Sequence, residues 1–410
     1  MTRQSRTAHE RAWVDIDLGA LRQNAADIAR RAGVPIVPMI KADAYGLGAE
    51  AVAHALEPLA PWGYGLATVA EGEALRAAGI DRPLLICTPL LPDEFPVARD
   101  ARLTPALGDP HAIGEWIRSG GGAWHLAIDT GMSRAGVPWT EIAAVRDLVA
   151  ESPPEGAFTH FHSSERNDGS MLAQEQRFRE ALAALPMRPM LLHTENSGAL
   201  QRRERSEWDL VRPGVALYGV STGEHVLWTP APVVAVRARI AELRTVPGGG
   251  TVSYGAAYRA VGDRRIATLP LGYADGYRRS LSNRGSALLQ GRRVPVAGVV
   301  TMDMTMIDVT GVDCAIGDVV TVIGGESGMD GRESGIGNRE SEPSTEPESV
   351  SRFPFPVSRS THHDLPLETV AWDAEQMSPY ELLTGLRARL VRRYASPDSR
   401  FPISDSREAT

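Results

Sequence analysis

Lys41 is the only lysine in the chain; all the other residues among its 43 Lys+Arg are arginines. Wherever this sequence needs a fixed positive charge it uses a guanidinium, which stays protonated. An ε-amine can lose its proton, attack a carbonyl and form a Schiff base. A lone lysine in an arginine-biased chain therefore reads as a reactive group. It stands in the run Pro38-Met39-Ile40-Lys41-Ala42-Asp43-Ala44-Tyr45-Gly46-Leu47-Gly48, directly after an apolar stretch. The C-terminal ends of strands form the catalytic face of a (β/α)8 barrel, so in such a fold the lysine emerges at the barrel mouth. Tyr45 and the glycines after it form a loop able to approach an anion.

Further candidates are spread along the chain. His160 follows Thr159, and His193 opens the run His193-Thr194-Glu195-Asn196-Ser197-Gly198. Asn196 and Ser197 at a helix start serve as an N-cap, and a helix N-terminus is also a ready phosphate site. Arg134 ends Asp129-Thr130-Gly131-Met132-Ser133-Arg134. Arg212 sits among apolar residues in Val211-Arg212-Pro213-Gly214-Val215, which suits a buried, directed guanidinium. Tyr254, Tyr273, Met302, Asp303 and Tyr380 lie in the second half of the chain.

The elements that must position these groups follow from the apolar pattern. Short apolar runs at 13–16, 36–40, 65–68, 83–86, 124–128, 157–161, 190–193 and 211–218 alternate with amphipathic stretches such as 18–31, 49–59, 69–78, 139–150 and 170–185. That alternation predicts parallel strands joined by helices. About eight such units fit a closed (β/α)8 TIM-type barrel over 11–230. An open doubly wound sheet fits less well, since no Gly-x-Gly-x-x-Gly turn follows the first strand. From 231 to 395 short β-rich runs separated by Gly and Pro predict a mostly β domain, so the class is α/β. Residues 327–366 are rich in Ser, Glu, Pro, Gly and Arg without periodicity and read as a disordered insertion; 396–410 read as a disordered tail. Ser351-Arg352-Phe353-Pro354 recurs as Ser399-Arg400-Phe401-Pro402 inside these biased segments.

Composition narrows the function. The chain has 410 residues, is 43% hydrophobic and 23% charged, and carries a net charge of −8. It is long enough for two or three domains. A negative balance argues against nucleic-acid binding through a basic surface. Cys87 and Cys314 cannot make a disulfide framework, and the polar first residues lack a signal-peptide apolar region, so a cytoplasmic protein with no membrane span is expected. No metal-ligand spacing stands out.

The Lys41 run resembles the cofactor-lysine motif of the alanine racemases, a pyridoxal-phosphate family. The likeness extends over almost the whole chain apart from 327–366 and the termini. It implies that Lys41 and Tyr254 are the two bases of a racemase acting through an external aldimine, Lys41 on the face of the D enantiomer and Tyr254 on that of the L enantiomer. It implies cofactor contacts from Lys41, Tyr45, His160, Asn196, Ser197, Arg212, Gly214, Val215 and Tyr380, with Arg212 at the pyridine nitrogen. It places Arg134, Met302 and Asp303 near the substrate carboxylate, and His193 and Tyr273 behind these groups. A link Tyr254–His193–Arg212 would bring positive charge to the tyrosine. The family's head-to-tail homodimer, in which Tyr254, Met302 and Asp303 reach the partner's site, is implied as well, as is D-alanine for peptidoglycan.

The sequence departs from that pattern at three places. Many members carry a carbamylated lysine where this chain has Ala127, so Arg134 needs another support, such as a bound anion. Val299 replaces an entry-corridor arginine, and Glu165 takes the place of the usual aspartate after His160. The third departure is the 327–366 insertion. Racemisation of another small amino acid, such as serine, is the neighbouring alternative. A decarboxylase of this shape would need an acid where Arg212 stands. A non-catalytic pyridoxal-phosphate protein would consist of the barrel alone; an inactive paralogue that keeps both domains is the other alternative, consistent with the insertion and Ala127.

Overall fold

A computed structural model of the chain describes residues 10–223, 225–325, 364–375 and 377–395. Six parallel strands, Tyr64–Leu66, Leu84–Ile86, Thr104–Leu107, His125–Asp129, Gly156–Phe158 and Leu191–His193, pair in chain order. Their residues are almost all buried, as expected where both faces of a parallel sheet are covered. Two further staves close the ring. Residues 36–40 bond to Tyr64–Leu66 through Ile40 N to Gly65 O at 2.9 Å, and to 211–213 through Val37 N to Val211 O at 2.7 Å and Met39 N to Pro213 O at 2.8 Å. Residues 209–212 join the last strand through Leu210 N to Leu192 O at 3.2 Å. Pro35, Pro38 and Pro213 lack an N–H to give to a ladder, which keeps both closing staves irregular. Eight parallel staves thus form the expected barrel.

The helices pack outside. Leu18–Ala32 starts at the Asp17 cap, whose carboxylate accepts from Ala20 N at 2.8 Å, and stops at Gly33, which adopts φ 70°. Leu21, Ala25, Ile28 and Ala32, at helical spacing, form its buried face.

The second body is mostly β. One sheet runs Arg292–Pro295, Ser286–Leu289, Val319–Gly325, Val234–Arg239, Ala12–Asp17, Val391–Ala395. The apolar run 13–16, counted with the barrel from the sequence, therefore belongs to this sheet. Trp13 pairs with Arg237 on one side and Val391 on the other, and its ring lies 3.9 Å from the Arg393 guanidinium carbon. A smaller sheet is built from Glu242–Val246, Arg264–Leu269 and Thr305–Asp308. Of the expected insertion, residues 327–363 lie outside the described residues, as do the recurring tetrapeptide and the 396–410 tail. Its last residues are part of the fold: Asp364–Leu365 pairs with Val319–Gly325.

Candidate active site

Lys41 begins a left-handed turn. Ala42, Asp43, Ala44 and Tyr45 have φ between 52° and 57°, and none of them is glycine. Each such residue costs about 1–2 kcal/mol, so the surroundings must fix the conformation. Glu71 accepts from Ala42 N at 2.7 Å with one carboxylate oxygen and from Ala67 N at 2.8 Å with the other. Ala44 N bonds to Ile40 O at 2.8 Å, and Asp43 caps the next helix through Ala49 N at 2.8 Å. Held this way, Lys41 and Tyr45 both line a cavity of about 1040 Å³ at the barrel mouth.

One end of the cavity is lined by Tyr45, Asn196, Ser197, Gly214, Val215 and Tyr380. Ser197 Oγ accepts from Gly214 N at 2.9 Å and from Ala216 N at 3.2 Å, which shapes the backbone there. Asn196 caps the short Ser197–Gln201 helix and accepts from Ser164 Oγ at 2.6 Å. A Cβ at Gly214 would stand 2.7 Å from Tyr45 Oη, so any side chain there would displace that phenol. The Pro379–Thr384 helix, opened by the Ser378–Glu381 capping box, sets the Tyr380 ring 6.1 Å from that of Tyr45. Burial pushes both phenols above their ordinary range, so they act as neutral donors.

Arg212 forms the floor. It is 3% exposed. Nη1 bonds to His193 O at 2.8 Å and His193 Nδ1 at 2.6 Å; Nη2 bonds to Thr159 O at 2.8 Å and Thr194 O at 3.2 Å, with His160 Nδ1 at 3.5 Å. Burial lowers its pKa to about 10, which leaves it cationic at neutral pH. Among the described residues Nε has no partner.

Behind Arg212 the tautomers are forced. Arg212 donates to His193 Nδ1, so His193 carries its proton on Nε2 and gives it to His125 Nδ1 at 2.8 Å. His125 then carries its own on Nε2, toward Glu155 at 3.7 Å. Burial, and then the positive charge of Arg212, push His193 well below the usual imidazole value; burial also lowers His125. His160 lines the cavity and is lowered to about 3, by burial and then by Arg212, Arg134 and Lys41. These histidines are neutral when folded and free to take up protons when unfolded. Their contribution is complete above 6.5 and is lost as pH falls below it. Each one adds a slope of about 1.4 kcal/mol per pH unit while it stays neutral in the fold. The denaturant midpoint should therefore fall between about pH 7.5 and 5.5, and His193→Gln should flatten that fall; a pH-independent midpoint contradicts this.

Arg134 also lines the cavity. Its loop is wrapped around Asp129, whose Oδ1 accepts from Gly131 N at 2.9 Å, Met132 N at 2.9 Å and Ser133 N at 3.1 Å. Ala127 packs with Ala106 and Phe158 and offers Arg134 no polar support.

The structure thus brings Lys41, Tyr45, Arg134, His160, Asn196, Ser197, Arg212, Gly214, Val215 and Tyr380 to one cavity, together with Cys87 and Glu165. Cys87, Glu71 and His125 do not stand out as site residues in the sequence: Glu71 reaches Ala42 N 29 residues away and His125 meets His193 68 residues away, although the Thr68–Glu71 capping box is a local signal for Glu71. Four expected residues lie elsewhere. Tyr254 is 73% exposed, Met302 54% and Tyr273 41%, and Asp303 pairs with Arg389 at 2.8 Å. Ala274 N to Met302 O at 3.0 Å joins the Tyr273 and Met302 loops, and Ser253 Oγ to Val299 O at 2.8 Å ties the Tyr254 loop to the segment before Met302. Of the expected Tyr254–His193–Arg212 link, the Arg212–His193 half forms at 2.6 Å and leaves His193 no free nitrogen for a tyrosine. His193 is fully buried and both its ring nitrogens are taken, so the imidazole that meets the cavity beside Arg212 is His160. Among the described residues no cluster of His, Cys, Asp or Glu could hold a metal ion, and no helix is long and apolar enough to cross a membrane.

Comparison with known proteins supplies the family. Residues 16–222 match the family model "Alanine racemase, N-terminal domain", and 233–337 match "Alanine racemase, C-terminal domain". The chain is 40% identical over 318 residues to the alanine racemase of Deinococcus radiodurans, covering 75% of this chain and 88% of that protein. It is similar to the crystal structure of alanine racemase from Bacillus anthracis with bound L-Ala-P, at TM-score 0.79 and 26% identity over 95% of this chain and 96% of that one. The same holds for alanine racemase from Bartonella henselae with covalently bound pyridoxal phosphate, at TM-score 0.78 and 26% identity over 94% of this chain and all of that one. The chain belongs to the alanine racemase family of pyridoxal-phosphate-dependent isomerases.

Proposed function

We propose that the protein interconverts L-alanine and D-alanine with Lys41 and Tyr254 as opposing bases, the tyrosine coming from a second copy of the chain. One observation carries this reading: the only lysine lines the cavity, and the tyrosines that share the cavity with it are buried or half-buried, whereas the motif tyrosine stands exposed outside it. Tyr45 and Tyr380 are locked neutral by burial, burial raises the Cys87 thiol, and His160 is too weak a base. Tyr254, which the motif marks as catalytic, stands exposed on the β body with Tyr273 and Met302. A head-to-tail homodimer brings that face to the partner's cavity, and each site is then shared.

The residues fit pyridoxal phosphate. The cradle at Gly214, where a side chain would displace the Tyr45 phenol, suits the phosphate, with Tyr45, Asn196, Ser197, Val215 and Tyr380 around it. Arg212 Nε is free to donate to the pyridine nitrogen, and the His160 ring can stack on the cofactor. The chemistry the bound cofactor supplies is acidification of the amino acid's Cα–H. Arg134 holds the substrate carboxylate. Lys41 moves the proton on the D face and Tyr254 on the L face, and inversion needs both. Arg212, cationic at neutral pH, would hold the ring nitrogen as a hydrogen-bond donor that keeps its own proton. The L-Ala-P bound by the Bacillus anthracis structure supports an alanine-sized ligand. We place the reaction in the cytoplasm, with its D-alanine going to peptidoglycan.

The test is D-alanine formation from L-alanine by purified protein with pyridoxal phosphate, beside L-serine. Turnover of alanine over serine supports the reading. Turnover of serine alone, or none with cofactor bound, overturns it.

A further inference from the structure

We infer that Gln174 is a positioning residue for this reaction, its buried amide fixing both the loop that bears Arg134 and the strand end that bears His160. The inference rests on the roles given above to those two residues. Gln174 lies on the Ser170–Ala184 helix, is fully buried and does not line the cavity. Nε2 donates to Thr130 Oγ1 at 3.1 Å and to His160 O at 3.1 Å, and Oε1 accepts from His162 N at 3.0 Å. Turning the amide over would set donor against donor at His162 and oxygen against oxygen at His160, so its orientation is forced. Thr130 Oγ1 accepts from the amide and shares a second hydrogen bond with Thr159 Oγ1 at 2.7 Å. One turn further on, Arg177 donates to Thr130 O at 2.8 Å.

The network matters because Arg134 has no hydrogen bond of its own among the described residues, and position 127 is alanine. The guanidinium is therefore placed by its loop backbone. That loop is anchored at Thr130, four residues before Arg134, and the anchor is the same amide that grips His160 O. A shift of Gln174 moves the carboxylate anchor and the stacking imidazole together.

Gln174→Met keeps the size, strips His160 O and His162 N of the amide partner and leaves Thr130 Oγ1 with Thr159 alone. Gln174→Glu keeps the bond from His162 N but, as a carboxylate, offers no donor to Thr130 or His160 O. Both are expected to raise KM for alanine at least about tenfold and to shift the visible absorption of the bound cofactor. The control is Phe178→Leu, on the same helix, where the ring packs against Trp208. At matched loss of Tm it should leave KM within about twofold. Equal KM changes in Phe178→Leu and Gln174→Met would reduce Gln174 to a structural role and overturn the inference. Arg134→Gln separates the two claims. If it raises KM while Gln174→Met does not, the inference alone fails. If Arg134→Gln leaves KM unchanged, the reading of Arg134 fails and takes the inference with it.

Discussion

Lys41→Arg is expected to lower racemase turnover by at least about 10⁴-fold, the upper end of what one acid–base group contributes. The substitution keeps the charge and most of the length. It removes the only side-chain amine that can lose its proton and condense with a carbonyl to a Schiff base. The backbone at this position is fixed from outside the side chain, by Glu71 on Ala42 N and by Ile40 O on Ala44 N. Melting temperature should therefore move little while D-alanine formation disappears. Because no other lysine exists, borohydride reduction of the holoenzyme should attach cofactor to the wild type at Lys41 and to no side chain of the variant. A variant that keeps even a few per cent of its turnover contradicts the role given to Lys41.

Tyr254→Phe carries the second large effect. Racemisation should fall by about 10²–10⁴-fold, since inversion needs a proton carrier on each face. The loss is one-sided. Lys41 still serves the D face, so D-alanine incubated in D₂O should exchange its Cα proton without inverting, whereas L-alanine should neither exchange nor invert. Proton NMR separates these outcomes. Equal loss of exchange from both enantiomers would mean that Tyr254 does not act on one face alone. The ring is exposed in the single chain, so Phe leaves its fold undisturbed.

Much of this site was legible in the sequence because its signals are local. Lys41 and Tyr45 stand four residues apart in one motif; Arg212 and Gly214 lie in another; the capping box announces the helix that carries Tyr380. Barrel staves read as apolar runs because both faces are buried. What escaped depends on partners far along the chain. The 13–16 strand looks like a barrel strand until Val391–Ala395 arrives beside it. The left-handed turn after Lys41 contains no glycine to announce it; Glu71, 29 residues on from Ala42, imposes it. The expected link from Tyr254 to His193 failed because no local pattern shows that His125, 68 residues away, already holds the ring nitrogen. Gln174 read as an ordinary polar residue of a helix, and only burial beneath Thr130 and His160 gives it a task.

The central claim is that one chain supplies Lys41 and a second chain Tyr254. Mixing two inactive variants tests it most directly. Lys41→Ala and Tyr254→Phe chains are purified separately, mixed in equal amounts, dissociated and allowed to reassemble. In a head-to-tail dimer a mixed pair has one site with both defects and one site with neither. Half of randomly formed dimers are mixed, so activity should return to about a quarter of the wild type. A mixture that stays inactive although mixed dimers form would show that both groups must come from the same chain, and would contradict the shared site.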